Sequence, residues 1–365
     1  MTSSDGDGDG DGEVIDEVNV EVEVHTPEDL PESTPQMSRE SMVQASADAR
    51  LDPTLAIARC PASGEIVASL PLIRLRARHM PMDFRPQRVR ERWAPSDPDE
   101  VLLHLGALHR FKGGGTGSVS ALAALVGHAR DQAGRDGQGA MALSVPEEQL
   151  PAYWGLAPET DLVRDGSWYS LPVNGPQLDE FITSLPRGPR LLWRRERREL
   201  EQLRSQFVLD IRPATPELAI GAGHLLNTVL VNNGGESAPE LAGARVAWWL
   251  ELSEGTKFAT TAEDEDGNLV ALGVGRIYGT TIEMNAFGAQ ADHPLRRALY
   301  HALLYTMPLE IAVQRGLKTL DLGATHGLPK RLRGCRTERQ YTLLPRPDRG
   351  RPREKEKSCP PPTHR

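Results

Sequence analysis

The chain has 365 residues, which is long for one hydrophobic core and predicts two domains of ordinary size. Its net charge of −9 is unevenly distributed: residues 1–48 hold fourteen acidic side chains against one arginine, residues 345–365 are basic, and residues 49–344 carry 34 charges of each sign. A neutral body with charged ends does not indicate a protein that coats nucleic acid, and we expect no DNA partner, although local cationic stripes can bind phosphate.

The cysteines and the hydropathy pattern exclude further classes of protein. Cys60, Cys335 and Cys359 are widely spaced, and no Cys/His ligand spacing accompanies them. A disulfide framework or a metal site is therefore not expected. No apolar run reaches about 18 residues, and the N-terminus is acidic rather than basic and apolar. We predict a cytoplasmic protein with no membrane span and no bound cofactor.

Both ends of the chain are predicted to be disordered tails. Residues 1–48 are acidic and rich in glycine near the start, where a D-x-D-x-D-G pattern begins at Asp5. A calcium loop would need Glu at the twelfth position, which is Asp16 here, and a preceding helix for which there is no room. The alternation in VNVEVEV leaves room for an edge strand. Residues 346–365 are rich in proline and charge.

The first half of the body predicts a mixed α+β unit. Residues 55–76 predict a strand, a turn at Ala62-Ser63-Gly64 and a second strand. Apolar side chains at helical spacing predict a helix from about Ser118 to Gly134, and the following GAMALSV predicts a buried strand. The segment PEEQLPAYWGL leads into a predicted linker rich in Gly, Asp and Pro.

An arginine-rich stretch, residues 176–203, connects the two halves. Its apolar side chains predict an amphipathic helix that ends at the break between Pro186 and Pro189. A second helix then carries a cationic stripe with Trp193 beside it. The stripe consists of Arg190, Arg194, Arg197 and Arg198.

The second half predicts the same order of elements. Residues 258–289 predict a three-strand meander with glycine turns. A long helix is predicted from about Leu295 to Gly316, kinked at Pro308, and LKTLDLG predicts the next strand. A glycine- and proline-containing loop with three cations, GATHGLPKRLRGC, then follows from residue 323.

Meander, helix, strand and loop thus occur twice, which indicates internal duplication. The fold class that we predict is α+β, with two similar modules side by side. Their predicted bounds are residues 49–185 and residues 186–345.

The helix RRERRELEQ and the terminal GLKTLDLGA and KRLRGC resemble the Fem-like branch of the GNAT superfamily, which includes the Fem aminoacyltransferases and BioF2-like acetyltransferase domains. Members commonly end with a helix, a strand closing in Gly-Ala, and a Lys-x-x-Arg-Gly step, here Gly323-Ala324 and Lys330 to Gly334. The resemblance spans roughly residues 55–345 and implies two tandem GNAT-like modules. A Gly-Glu-His that usually precedes the lysine is replaced by residues 326–329, HGLP, so the acid is absent there.

The resemblance implies an acyltransferase, with an aminoacyl-tRNA as the donor and a small amine as the acceptor. Because the donor is anionic, Lys330, Arg331 and Arg333 would hold donor phosphate or the acyl carbonyl. The residues by themselves fit a solvated basic turn as well. Arg194 and Arg198 would add to donor binding unless the acidic side chains of the same helix neutralise them as i,i+3 and i,i+4 pairs.

Three further residues are candidates for the reaction. Glu283 and Asn285 alternate in TIEMNAFGA, which places both on one face of a strand that would line the acyl cleft. Glu283 is then the candidate general base and Asn285 a substrate contact, whereas an outward-facing edge strand is the alternative. Tyr305 would donate a proton, or its ring packs in the core.

Two other functions stay open. Direct use of acyl-CoA is suggested by Arg110, Gly113 and Gly115, which have the R-x-x-G-x-G spacing of the GNAT pyrophosphate loop before a helix, although a glycine-rich connection explains them equally well. A catalytically inactive binding protein is the reading that the replaced Gly-Glu-His favours.

Overall fold

The computed structural model describes residues 19–79, 97, 99–107, 114–232, 238–324 and 327–346. The described chain contains both strands and helices, and none of its helices is long and apolar enough to cross a lipid bilayer. The strands are β1 (Glu21–His25), β2 (Leu51–Arg59), β3 (Ile66–Arg76), β4 (Val101–Leu105), β5 (Thr116–Gly117), β6 (Gly139–Pro146), β7 (Thr160–Pro172), β8 (Val208–Pro213), β9 (Thr256–Glu263), β10 (Leu269–Tyr278), β11 (Thr281–Ala289), β12 (Thr319–Gly323) and β13 (Arg336–Pro345).

The helices cover both faces of the sheet that these strands build. The helix Val119–Arg135 begins after Ser118, as predicted, because the Ser118 side chain accepts a hydrogen bond from the Ala121 N–H at 3.3 Å. The helices are α1 (Gln36–Ser46), α2 (Val119–Arg135), α3 (Leu178–Ser184), α4 (Arg187–Arg204), α5 (Pro216–Gly221), α6 (Gly223–Asn232), α7 (Pro239–Leu252), α8 (Arg296–His301), α9 (Met307–Gln314) and α10 (Gly327–Leu332).

One sheet runs through both halves in the order β1-β2-β3-β4-β6-β13-β7-β12-β11-β10-β9-β8, with β5 paired to β3. In each half an antiparallel meander is followed by a helical crossover that returns the chain to a parallel neighbour. Strand β4 pairs in parallel with β6, and β11 pairs in parallel with β12. The predicted repeat of meander, helix and strand is therefore present, and the fold is two α+β units of the same topology.

The two halves exchange their final strands. Strand β7 follows the first half but pairs with β12 of the second, and β13 at the end of the second half pairs with β6 of the first. The two exchanged strands pair with each other from Arg336↔Ser170 to Pro345↔Thr160. The predicted linker after residue 156 is thus wrong, because β7 lies at the centre of the sheet. The module boundary at residue 185 stays a prediction.

Disorder over residues 1–48 is also wrong for part of that range. Strand β1 pairs with β2 along its whole length, and helix α1 follows, with Met42 fully buried. The acidic composition concealed this order, because only a few apolar side chains of the segment, such as Met42, pack against β2. Residues 1–18, with the calcium-like pattern, and the tail 347–365 lie outside the described residues.

The long helix of the second half is interrupted as predicted near Pro308. Helices α8 and α9 are joined by one π-helical segment, Ala302–Thr306, which ends two residues before Pro308. A proline inside a helix lacks an N–H and displaces the preceding carbonyl, so a wider turn accommodates it. Gly316, with a φ of 66°, ends the helix. The apolar core of this half packs between this helix and the sheet.

Candidate functional site

The parallel strands β11 and β12 part from one another near their C-terminal ends. Their pairing runs only from Thr281↔Thr319 to Glu283↔Asp321. Beyond that point β11 continues beside β10, whereas Gly323 at the end of β12 pairs with Tyr169 of β7. Two parting parallel strands leave an opening in the sheet at the end where ligands bind open α/β sheets. We take this opening as the candidate site.

A β-bulge shapes the β11 side of the opening. Ala286 pairs with Val274 and Met284 with Gly275, so Asn285 is an extra residue that has no partner of its own in the β10 register. The prediction that Glu283 and Asn285 share a face relied on strict alternation, which the bulge breaks. Asn285 is half-buried, and its substrate contact stays a prediction.

Lys330 closes the β12 side of the opening. Its ammonium donates to the carbonyl oxygens of Leu322 at 2.5 Å and Gly323 at 3.0 Å, and it lies 5.4 Å from the centroid of the Tyr169 ring. The side chain is buried, on helix α10 rather than in the predicted open loop. Glycine and proline suggested a loop, but proline is compatible with a first helical turn, and Pro329 occupies such a position.

Of the three cations in this segment, Arg331 is the exposed one. Its Nη1 donates to the Tyr169 hydroxyl at 3.2 Å. Gly327 lies directly under that hydroxyl, since a Cβ there would be 2.1 Å from it. Helix α10 therefore approaches β7 closely enough to hold Arg331 at the rim of the opening.

Arg333 contradicts the prediction of a donor contact, because it is a buried structural cation. Its Nε donates to Glu196 Oε2 at 3.0 Å, Nη2 donates to Glu196 Oε1, and Nη1 donates to the Pro329 carbonyl at 2.7 Å. Both partners are about 2% exposed. Burial raises the pKa of Glu196, and the charge of Arg333 opposes that shift. The pair ties α10 to the arginine-rich helix α4.

Tyr305 is a core residue, which contradicts the proposed proton donor. The side chain is fully buried, its ring lies 4.2 Å below the Arg333 guanidinium, and its hydroxyl is 3.2 Å from that of Tyr300. Burial raises the pKa of Tyr305 far above its ordinary value. A proton donor must reach its substrate, and this hydroxyl is enclosed.

Glu283 is engaged in a second buried charge cluster. Arg276 Nε donates to Glu283 Oε2 at 2.6 Å, while Nη1 donates to Glu40 and, at 3.2 Å, to the Glu254 carbonyl. Glu40 comes from α1, in the region predicted to be a tail. Two carboxylates thus share one guanidinium beside Asp321, the register partner of Glu283. The predicted role of Glu283 as a base stays a prediction.

Sequence reasoning missed Arg276 and Glu40. Arg276 had a usable signal, because it is the single charge in the otherwise apolar run LVALGVGRIY, and such a residue in a buried strand needs a partner. Glu40 had no comparable signal, since its partner lies 236 residues away.

Arg194 and Arg198 are exposed on α4, and no carboxylate of the described residues lies within ion-pair distance of either. The acids that were expected to neutralise the stripe have other partners. Glu196 binds Arg333, and Glu199 lies 3.4 Å from Arg195. The two predicted donor contacts thus keep an uncompensated positive charge, on α4 rather than at the β11/β12 opening.

The glycine motif of the first half is only partly described. Arg110 and Gly113 lie outside the described residues. Gly115 is bound by Gln149, whose Oε1 accepts from the Gly115 N–H at 3.2 Å and whose amide donates to its carbonyl at 3.0 Å. A Cβ at Gly115 would lie 2.6 Å from the Ser69 carbonyl oxygen. Close packing therefore accounts for this glycine, and its N–H is already paired.

His301 adds a titratable group next to the Arg333–Glu196 pair. Its Nδ1 lies 3.5 Å from Glu196 Oε1. Burial, followed by the charges of Arg333, Arg297 and Arg195, lowers the pKa of His301 to about 3. The imidazole is therefore neutral at pH 7, although a carboxylate is nearby.

The lowered pKa of His301 predicts that acid reduces the free energy of unfolding of the protein. Since His301 binds its proton more weakly in the folded state than at its ordinary pKa of 6.5, the unfolded chain takes up more protons between pH 6.5 and about 3. Its contribution to stability is complete above pH 6.5 and falls on acidification, by at most about 1.4 kcal/mol per pH unit. Urea titrations at pH values from 7 to 5 should show that the free energy of unfolding falls less steeply with acidification in His301→Gln than in the wild type. The exposed His224→Gln is the control and should retain the wild-type slope, and equal slopes for both variants would contradict the assignment.

The comparisons with known proteins bear on this fold. No family model and no curated protein matches the sequence. The crystal structure of FemX superimposes with a TM-score of 0.57 at 12% identity, covering 84% of this chain and 90% of FemX. The C-terminal domain of a putative lysylphosphatidylglycerol synthetase from Agrobacterium fabrum gives 0.51 at 10% identity, covering 84% and 87%.

The strand exchange, the two parallel crossovers and these superpositions define the class. The chain has the fold of FemX, as the sequence motifs predicted, and it is built from two α+β units of the same topology that exchange their final strands. Within that class, FemX superimposes more closely than the synthetase domain does, and at 12% identity the likeness concerns the fold.

Proposed function

We propose that this chain is an acyltransferase that moves an aminoacyl group from a charged tRNA to an amine and forms an amide-type bond. The observation that carries the proposal is the opening between β11 and β12, with the Lys330 ammonium held at its edge by two carbonyl oxygens. The Fem-like fold supports it. The acceptor would be an amine of a cell-wall precursor or of a specialised metabolite such as an antibiotic intermediate.

Acyl transfer to an amine needs alignment more than it needs special side chains. The amine must approach the acyl carbonyl, negative charge develops on that oxygen, and the nitrogen loses a proton. Lys330 is a fixed positive charge at the opening and would stabilise the developing oxyanion. Glu283 and Asp321 form the last register pair before β11 and β12 part, and either carboxylate would receive the proton directly or through water. Arg276 and Gly323 N–H, which donate to them, would orient both groups.

Two observations favour tRNA over acyl-CoA as the donor. Arg194 and Arg198 present exposed guanidiniums to solvent, and such a stripe suits a phosphate backbone. The Gly115 N–H, which the acyl-CoA alternative needs for a pyrophosphate, is already paired with Gln149. The binding-only alternative draws support from the internal ion pairs of Glu283 and Arg333, which leave both groups occupied.

Purified protein incubated with charged tRNA, with acetyl-CoA and with a panel of amines distinguishes these functions. Mass spectrometry of the products should show an aminoacylated amine with charged tRNA as the donor. An acetylated amine instead would establish the acyl-CoA alternative. Donor binding without transfer across the whole panel would contradict both enzymatic functions and support the binding protein.

Lys330→Ala is expected to reduce kcat by about 10²–10³, the usual cost of removing one oxyanion contact. Because the side chain is buried and binds two carbonyl oxygens, the variant should also lose stability, so activity is compared per folded molecule, measured by circular dichroism. Lys330→Arg should recover only part of the activity, since the guanidinium is wider than an ammonium. Lys318→Ala, an exposed lysine before β12, is the control. Equal kcat in both alanine variants would leave Lys330 a purely structural role.

A further inference from the structure

A cleft of about 320 Å³ lies between the arginine-rich helix α4 and the beginning of α8. It is separate from the β11/β12 opening in its composition, because it contains none of the residues of β11, β12 or α10. Its walls combine two guanidiniums, a carboxylate and an imidazole with a short apolar floor. The lining residues are Arg195, Glu199, Pro294, Leu295, Arg297, Ala298 and His301.

The two arginines of the cleft are available to a ligand. Arg195 is 54% exposed in its side chain and lies 3.4 Å from Glu199, one turn along the same helix. Exposed pairs of this kind contribute little energy, so a more highly charged partner can displace the contact. Arg297 is exposed, and no carboxylate in the described part of the chain is within ion-pair distance of it. Two such guanidiniums facing one cavity suit a phosphate group, which accepts several charge-assisted hydrogen bonds.

The remaining polar groups of the cleft are hydrogen-bond acceptors. His301 is neutral, and the Glu196 carboxylate beside Nδ1 favours the tautomer that carries its proton there, which leaves Nε2 as an acceptor. The Glu199 carboxylate is a second acceptor. Acceptors of this kind bind hydroxyl groups, as acidic residues bind the ribose hydroxyls of nucleotides. The cleft thus pairs a phosphate-binding side with a hydroxyl-binding side.

We propose that this cleft binds a phosphorylated ribose, with Arg195 and Arg297 on the phosphate and with Glu199 and His301 on the sugar hydroxyls. A volume of about 320 Å³ is at the lower end of small-ligand sites and suits a single nucleotide. The inference rests on the proposed function, because both candidate donors, a charged tRNA and an acyl-CoA, carry a phosphorylated ribose. Arg194 and Arg198, next to Arg195 on α4, would extend the same cationic surface along an RNA backbone.

The first test is binding of adenosine 5′-monophosphate to the full chain by isothermal titration calorimetry, with adenosine and inorganic phosphate as partial probes. The nucleotide should bind more tightly than either partial probe. The double variant Arg195→Gln/Arg297→Gln should weaken nucleotide binding at least tenfold. Arg315→Gln, an exposed arginine that follows α9, is the matched control and should bind as the wild type does. Equal affinity of the double variant and the control would overturn the proposal.

The second test identifies the source of the phosphorylated ribose. A CCA-ended RNA minihelix and CoA are each used to displace the nucleotide, and displacement of the nucleotide by either one supports the site and names its source. Displacement by neither would overturn the proposal. The outcome separates from that of the proposed function: nucleotide binding at the cleft with no transfer from any donor would remove the acyltransferase and keep the cleft. If the double variant transfers the acyl group with an unchanged donor KM and binds the nucleotide as before, the acyltransferase stands and the cleft proposal is removed.

Discussion

Arg276→Met is expected to destabilise the protein by about 3–5 kcal/mol, because it removes the cation that Glu40 and Glu283 share. Both carboxylates and the guanidinium are buried, with side-chain exposures of 2%, 10% and 4%. Without Arg276, two negative charges would face each other away from water, which costs more than the surrounding packing can offset. Urea denaturation at pH 7 measures the change in the free energy of unfolding.

Arg212→Met on β8 is the control, because it removes an arginine from an ion pair that is partly exposed rather than buried. Arg212 binds Glu263 at 2.8 Å, with about a third of each side chain exposed, so its removal should cost less than about 1 kcal/mol. Adding Glu40→Gln and Glu283→Gln to Arg276→Met should restore part of the lost stability, since the unpaired charges are then absent. If Arg276→Met costs no more stability than Arg212→Met, the buried cluster of Glu40, Arg276 and Glu283 does not stabilise the fold as we predict.

Arg333→Met should have a similar effect, about 3–5 kcal/mol, and it should also disturb the proposed site. The variant leaves Glu196 buried without its bidentate partner and frees the Pro329 carbonyl next to Lys330. Since the end of α10 would lose its ion pair to α4 and keep the hydrogen bond from Trp193 Nε1 to the carbonyl of residue 333, the Lys330 ammonium should be held less firmly. We expect reduced transfer activity as well as a lower urea midpoint.

A double-mutant cycle separates the ion pair from general packing. Arg333→Met combined with Glu196→Gln should cost less than the sum of the two single changes, because the second substitution removes the uncompensated charge. Arg336→Met, an exposed arginine on β13, provides the control and should change the free energy of unfolding by less than about 0.5 kcal/mol. Strict additivity of the two buried substitutions would contradict the interpretation of Arg333 and Glu196 as one unit.

Local features of the fold were predictable because they depend on neighbours in sequence. Ser118 caps its helix through a bond to Ala121, three residues on, and Gly64, Gly267 and Gly316 have positive φ where turns or helix ends were predicted. The order of meander, helix and strand in both halves follows from periodicity in the same way. The resemblance to Fem-like proteins depended on these short motifs too, and the fold agrees with it.

The candidate site was predictable only in part. The sequence singled out the Lys330 segment as a candidate site, and that role stays a prediction. Its helix, its burial and the different environments of Lys330, Arg331 and Arg333 were not foreseen. The prediction that Glu283 and Asn285 share a face assumed strict alternation. A bulge adds one residue to β11, and an alternating sequence pattern contains no signal for such an insertion.

What the sequence by itself determined about this protein is therefore the set of elements, their order and the class of fold, since capping, turns and amphipathic periodicity act within a few residues. Tertiary structure alone decided which elements meet. The exchange of β7 and β13, the contact between Glu40 and Arg276 and the pairing of Glu196 with Arg333 join residues that are more than 130 positions apart. The physical reason is that burial makes a charge depend on whichever opposite charge the completed fold brings beside it, and that neighbour is not encoded in local sequence.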